Sequence, residues 1–223
     1  MNQSHGDGHQ PDQIVTTLIG GWRGALESIL PPLVFVSVYV GMGDNPDALT
    51  WAIVAAMGLA VLFGVWRLVE RRRPTRVVGA IVVVALGAYV AARTGSAADF
   101  FWPRVLLNVL SGLAFVVANF VRWPLLGVII GPIAGTGMRW RKDPALVHAY
   151  SRASWLWALL NFVRAAILFP LIQSNALWGL AISGAFFYAL VIATIIGSWY
   201  VVRKSLPTGH PGLRHPQIAD QAA

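Results

Sequence analysis

DFFWPRVLLNVLSGLAFVVANFVRWPLLGVIIGPIAGTGMRWRK, residues 99–142, decides how the whole chain is read. An apolar run of membrane length opens on Phe100 and Phe101 and closes at Arg122-Trp123-Pro124. Proline disfavours helix at the residue before it, and Trp and Arg suit a membrane–water boundary. A second apolar run, from Leu125 to Ala134, is about ten residues, or ~15 Å as helix, against ~30 Å of hydrocarbon. It reads as a short interfacial helix or as a re-entrant one. Gly127, Gly131 and Gly135 recur at four-residue spacing, which permits close helix approach and admits self-association. Arg139, Arg141 and Lys142 follow as a basic group.

The composition extends that reading to the rest of the chain. Of 223 residues, 57% are hydrophobic and 12% charged, with mean hydropathy +0.63. A soluble domain carries about 25% charged residues, so lipid must solvate much of this surface. The net charge of +8 sits between apolar runs, not along one exposed face. It therefore points to the bilayer and not to nucleic acid. There is no cysteine, which removes disulfides, thiolate metal sites and a cysteine nucleophile. Residues 1–14, polar and without a basic n-region, are expected to be a disordered terminus and not a signal peptide. His5, Asp7 and His9 lack a third fixed ligand, so no metal site is expected.

Six spans are expected, within a membrane domain of residues 15–206. Segment one covers about Trp22 to Val40, with Glu27 a turn inside it and Pro31-Pro32 placed to kink it. Segments two and three cover about Leu49 to Val69 and Val77 to Ala92, separated by the cluster Arg71, Arg72, Arg73 and Arg76. Segment four covers about Phe100 to Val121. Segments five and six cover about Ser154 to Ile172 and Leu177 to Val202, and a polar tail expected to be disordered covers 207–223. The fold class is all-α and polytopic. With six spans, Arg23, Arg71–Arg76, Arg139–Lys142, Arg152, Arg203 and Lys204 fall on one side, while Asp44, Asp47, Arg93 and Asp99 fall on the other. That bias places both termini in the cytoplasm of a plasma-membrane protein. Similar ends at Trp66-Arg67, Arg122-Trp123 and Trp199-Tyr200 are open to reading as three helical hairpins. They are equally what any cytoplasmic helix end attracts.

Arg164 is the most informative residue. It lies deep inside segment five, where an arginine costs on the order of 2.5–3.5 kcal/mol on insertion scales and must face protein or water. Asn161 is one turn earlier on the same face. Arg104 and Asn108 stand at i and i+4 in segment four. The two Arg–Asn pairs can converge on one polar interior that Glu27, the one carboxylate clearly inside a span, cannot neutralise. These five residues form the candidate ligand site, for an anionic head group or small anion. The structural alternative has Arg104 snorkelling outward, Arg164 bonding Glu27 and carbonyls freed by Pro31-Pro32, and the asparagines bonding between helices. No catalytic motif is present: there is no GxSxG, HExxH, P-loop or pair of intramembrane carboxylates. The chain is expected not to be an enzyme and to need no cofactor.

The order of motifs carries a resemblance. GGWRGALESILP at 20–31, RTGSAADFF at 93–101, RWPLLG at 122–127 and WRKDPALVHAYSRASWLWA at 140–158 resemble an actinobacterial family of multi-pass membrane proteins of unknown function. The resemblance runs from about Gly20 to Lys204. More distantly, the chain is similar to the intracellular septation protein A family, through Arg122-Trp123-Pro124-Leu125 and Trp157-Ala158. It departs from that family at Ala153-Ser154 and at Arg164, which has no counterpart there. The distant resemblance implies a non-enzymatic envelope or division-associated protein acting through helix contacts with other membrane proteins. The positive interior implies instead a small carrier of an anionic solute or lipid.

Overall fold

The computed structural model describes residues 21–69, 74–213 and 216–217, and the side chains of these apart from 21–28, 67–68, 74–78 and 80. Residues 1–14, Arg71, Arg72 and Arg73, and the side chains of Glu27 and Arg76 lie outside what it describes. Seven α-helices and two short 3-10 turns make up the described chain, with no strand among the described residues. The helices are α1 (Gly21–Gly41), α2 (Ala48–Val69), α3 (Pro74–Thr94), α4 (Trp102–Phe120), α5 (Leu125–Ile133), α6 (Pro144–Gln173) and α7 (Leu177–Ser205). Among the described residues four stretches are long and apolar enough to cross a membrane: Ala48–Trp66, Ala98–Phe120, Pro144–Gln173 and Leu177–Ser205. Helices of this kind mark a membrane-embedded protein. Two shorter apolar stretches, Ile29–Gly41 and Ile81–Thr94, lie within α1 and α3.

The chain divides into two compact units, residues 1–97 and 98–223. In the first unit α2 packs against both α1 and α3. Its contact face is a row of small residues, Ala48, Ala52, Ala56 and Ala60, all buried at four-residue spacing. In lipid no hydrophobic force draws helices together, and small side chains let backbones approach closely enough for dispersion to do so. Phe35 and Val36 of α1 are fully buried, and α1 stays helical through Pro31 and Pro32.

In the second unit α6 is the central helix, flanked by α4 and α7. Both pairings are antiparallel. Along α4 and α6 the contacts run from Trp102 with Phe169, through Gly112 with Phe162 and Phe115 with Trp157, to Asn119 with Ser151. Along α6 and α7 they run from Leu156 with Gly197, through Arg164 with Phe187, to Leu171 with Gly179. Helix α4 buries Val105, Asn108, Gly112, Phe115 and Asn119, while Leu106, Leu110, Leu113 and Val117 stand exposed on another face. A helix apolar on both faces suits protein on one side and lipid on the other.

Helix α6 begins at Pro144, about ten residues before the expected start of segment five. The cause is local. The Asp143 carboxylate caps the helix, accepting from the backbone N–H of Ala145 and Leu146, and proline is preorganised for the first helical position. Helix α4 ends where expected, but through Arg122 in the left-handed region at φ 56. Trp123 N–H bonds back to Ala118 O and Arg122 N–H to Asn119 O, the 6→1 and 5→2 pattern that closes a helix.

The glycine series proves to serve two purposes. Helix α5, nine residues long or about 14 Å, starts and finishes at the same end of the α4–α6 pair. A Cβ on Gly127 would lie 2.7 Å from the Trp140 ring, and one on Gly131 would strike both that ring and the Gly137 carbonyl. Within the chain, the close approach at Gly127 and Gly131 is to an indole. Gly135, at φ +76 with open space around it, is the left-handed residue that ends α5. Trp140 is fully buried, set edge-on against Tyr150 at 5.4 Å, and forms a core with Leu126, Leu146, Ala149, Ala153 and Val202.

Gly131→Ala is expected to destabilise the protein by about 1–3 kcal/mol, because the backbone at Gly137 must move to admit the methyl. Gly58→Ala, in the interior of α2 with nothing within 4 Å, should be neutral or stabilising by about 0.5–1 kcal/mol. Thermal unfolding of both variants in detergent checks the contrast.

Candidate functional site

Of the four described candidates, Arg104 on α4 and Arg164 on α6 interact electrostatically, and Asn108 and Asn161 lie about one turn from them on the same helices. The contacts Trp102–Phe169 and Gly112–Phe162 bracket the register, which sets Asn108 opposite the 161–164 turn of α6. Gly112 is needed here, since any Cβ would meet the Phe162 ring at 3.0 Å. Arg104 and Arg164 are each half-buried and lie within electrostatic reach of one another and of Tyr188 on α7. The Glu27 side chain lies outside the described residues.

Asn108 and Asn161 bond within their own helices. The Asn108 amide donates to Arg104 O at 2.8 Å and the Asn161 amide to Trp157 O at 2.8 Å, each four residues back on its own helix. Four side-chain bonds that do cross between helices involve residues that sequence reasoning did not pair, one of them from Leu126 N–H to Ser154 Oγ at 3.3 Å. Asn119 donates to Ser151 O at 3.1 Å, Trp157 Nε1 to Ser198 Oγ at 3.1 Å, and Arg164 Nη2 to the Phe187 carbonyl at 2.9 Å. The Arg164 guanidinium also sits 5.2 Å from the Phe187 ring centroid, within cation–π range.

Hydrogen-bonding capacity remains on both arginines. Arg104 Nη1 and Arg164 Nε are buried without a hydrogen-bond partner. Arg104 therefore keeps part of its head inside the protein and does not snorkel fully outward. Among the described residues the one ion pair is His210 with Asp143, so neither arginine has a carboxylate partner there. Asp99, the nearest acid in sequence, accepts from Trp102 Nε1 at 3.0 Å. Two fixed cations with unused donors at low dielectric can take an oxyanion, and the planar guanidinium fork matches carboxylate and phosphate. No group of three or more metal-capable side chains occurs among the described residues.

A second polar cluster lies at the opposite end of the same unit. Asp143 is 2% exposed. Its Oδ1 accepts from Ala145 and Leu146 N–H, and its Oδ2 from His210 Nε2 at 2.9 Å and Gln217 N–H at 2.8 Å. Gly212 N–H donates to His210 Nδ1 at 3.0 Å, which leaves Nε2 as the protonated nitrogen. Both ring nitrogens are thus engaged, and the arrangement clamps the C-terminal segment instead of presenting a base. No motif announces it. The local signal is Asp143-Pro144, which reads as a helix start, while His210 is one histidine in a polar tail.

Burial pushes the Asp143 carboxyl up, but the bonds from His210, Gln217 and Leu146 outweigh it and hold the group below its ordinary value. A depressed carboxyl stabilises the fold above its unfolded pKa, about 3.9, and that contribution is lost as pH falls through the lower folded value. The thermal midpoint is therefore expected to fall as pH drops below about 4, with a shallower fall in Asp143→Asn. His210→Ala at neutral pH should cost about 1.5–3 kcal/mol, as a bond to a charged acceptor is lost. A pH series of melting curves checks both.

No curated protein and no solved structure matches the chain. Residues 19–208 match the family described as "Protein of unknown function (DUF3159)", a range that takes in all seven helices and both arginines and stops short of His210. The matched range covers most of the sequence, and the chain belongs to the DUF3159 family.

Proposed function

We propose that this protein crosses the plasma membrane six times, with both termini in the cytoplasm, and binds an anionic group between α4, α6 and α7 as a carrier of an anionic solute or lipid. One observation carries the binding site: Arg104 and Arg164 approach each other with buried, unpartnered N–H groups and no carboxylate partner among the described residues. Two intramembrane arginines cost several kcal/mol at the insertion scale. An anion between them would offset that cost and accept the unused donors. A scaffold acting only through helix contacts, as the septation-protein resemblance implies, gives no reason to keep two guanidiniums without a carboxylate partner among the described residues. The proposed role is binding and not catalysis, since arginines stay charged and act as neither nucleophile nor base.

The six-span topology is supported by helix lengths. Helices α1 and α3 are each 21 residues, about 31 Å at 1.5 Å per residue, enough for ~30 Å of hydrocarbon. Orientation is supported by charge. In the second unit Arg122, Arg139, Arg141, Lys142, Arg152, Arg203 and Lys204 gather at the end that α5 occupies, and Asp99 is at the other. Positive ends face the cytoplasm. Aromatic rings meet the bases there: the Arg141 guanidinium lies 3.7 Å from the Trp123 centroid and that of Arg203 5.6 Å from Trp199.

The test is thermal unfolding in nonionic detergent with phosphate, sulfate, small carboxylates and glycerol phosphate added singly. A ligand of the folded form adds RT ln(1 + [L]/Kd), about 2.7 kcal/mol at a hundredfold excess over Kd. We expect at least one anion to raise the wild-type midpoint, Arg164→Gln to abolish the rise, and Arg164→Lys to retain part of it. An equal rise in Arg164→Gln, or no rise with any anion, overturns the proposal.

A further inference from the structure

Helices α6 and α7 leave an open groove of about 260 Å³ between Leu156–Val163 and Leu190–Gly197. Its lining is apolar. Thr194 brings the one hydroxyl, and that hydroxyl donates to Leu190 O at 2.8 Å on its own helix. The groove exists because α7 presents Ala193 and Gly197 where α6 presents leucines. A Cβ on Gly197 would already touch Leu156 at 3.6 Å. From Leu156 to Val163 it runs about 10 Å along α6, roughly two-thirds of the ~15 Å of hydrocarbon in one leaflet.

The faces that form the groove continue into basic side chains. Arg152 lies one helical turn before Leu156 on α6, at i−4, and Lys204 two turns after Gly197 on α7, at i+7, so each extends its wall of the groove. Both are exposed, and neither has a carboxylate partner among the described residues. The acid at this end, Asp143, is buried and engaged by His210 and Gln217. Lys204 Nζ rests 5.9 Å from the Tyr200 ring centroid, an aromatic–cation pairing suited to head-group depth.

An acyl-length apolar slot that opens onto two unneutralised cations matches an amphiphile with a negative head. We infer that this groove holds one acyl chain of an anionic phospholipid from the surrounding leaflet, with Arg152 and Lys204 at its phosphate. This site is separate from the Arg104–Arg164 pair and does not depend on it.

Native mass spectrometry of the full chain, released from nonionic detergent after exchange with phosphatidylglycerol or phosphatidylcholine, tests the inference. We expect a single phosphatidylglycerol to be retained about tenfold more than phosphatidylcholine. Ala193→Trp, at an exposed position facing lipid, should cut that retention about tenfold while leaving the thermal midpoint unchanged. Gly197→Leu repeats the block from the other end should the first variant fold poorly. Arg152→Gln combined with Lys204→Gln should erase the preference between the two lipids. Undiminished retention in the folded groove variants, or an undiminished preference in the charge variant, overturns the inference. So does loss of retention in Arg164→Gln with Ala193→Trp unaffected, which would place the lipid at the guanidinium pair and leave the proposed function standing.

Discussion

The second unit depends on one carboxylate. Asp143 joins two segments that sequence separates widely: through Oδ1 it starts α6, and through Oδ2 it holds the segment that follows α7. Fixing the start of α6 sets which residues oppose α4 and α7 all along the bundle. The pairing of Asn119 with Ser151 and of Phe115 with Trp157 follows from that register, and so does the placing of Arg164 against the Phe187 carbonyl. The buried acid tolerates its site because every bond it accepts favours the charged form.

The two units are packed on different principles. In the first, a row of alanines on α2 brings backbones close, and the gain is dispersion between surfaces with little side-chain entropy to lose. In the second, large rings and cross-helix hydrogen bonds do the same work, with Gly112, Gly127 and Gly131 giving way to Phe162 and Trp140. The first arrangement leaves nothing polar inside among its described residues. The second carries Asn108, Asn119, Asn161, Ser154, Ser183 and Ser198 in buried positions. A bilayer tolerates buried polar groups best when they find partners; Asn119 Oδ1, Trp140 Nε1, Tyr150 Oη, Arg104 Nη1 and Arg164 Nε have none, and of these the two arginine atoms are the ones that belong to charged groups.

Much of this was legible in the sequence because lipid imposes a simple rule on composition. The expected spans from Trp22, Leu49, Phe100 and Leu177 each begin within a few residues of the observed helices, since an apolar run of fixed length is a direct image of hydrocarbon thickness. The start of α6 was not legible from apolar content, because its first turns lie in a mixed segment and only the Asp143-Pro144 cap marks them. The depth of Arg164 could be read, but its neighbours could not, because partners such as Phe187 and Tyr188 are set by tertiary register. The structural alternative has Asn108 and Asn161 linking helices, yet for each an amide four residues from a carbonyl on its own helix has a closer acceptor. The glycine spacing permits a close approach without saying to what; Gly127 and Gly131 meet Trp140, which lies beyond α5 in the chain and carries no spacing signal.

The clamp has a consequence for how the chain is made. Asp143 leaves the ribosome 67 residues ahead of His210 and 74 ahead of Gln217. Both α6 and α7 must therefore be threaded into the bilayer before the carboxylate can close on its last partners. A chain stalled or truncated within α7 leaves that acid open to water at the membrane surface. The finished contact is thus a chemical mark of complete insertion, written by the last part of the chain onto a residue made much earlier.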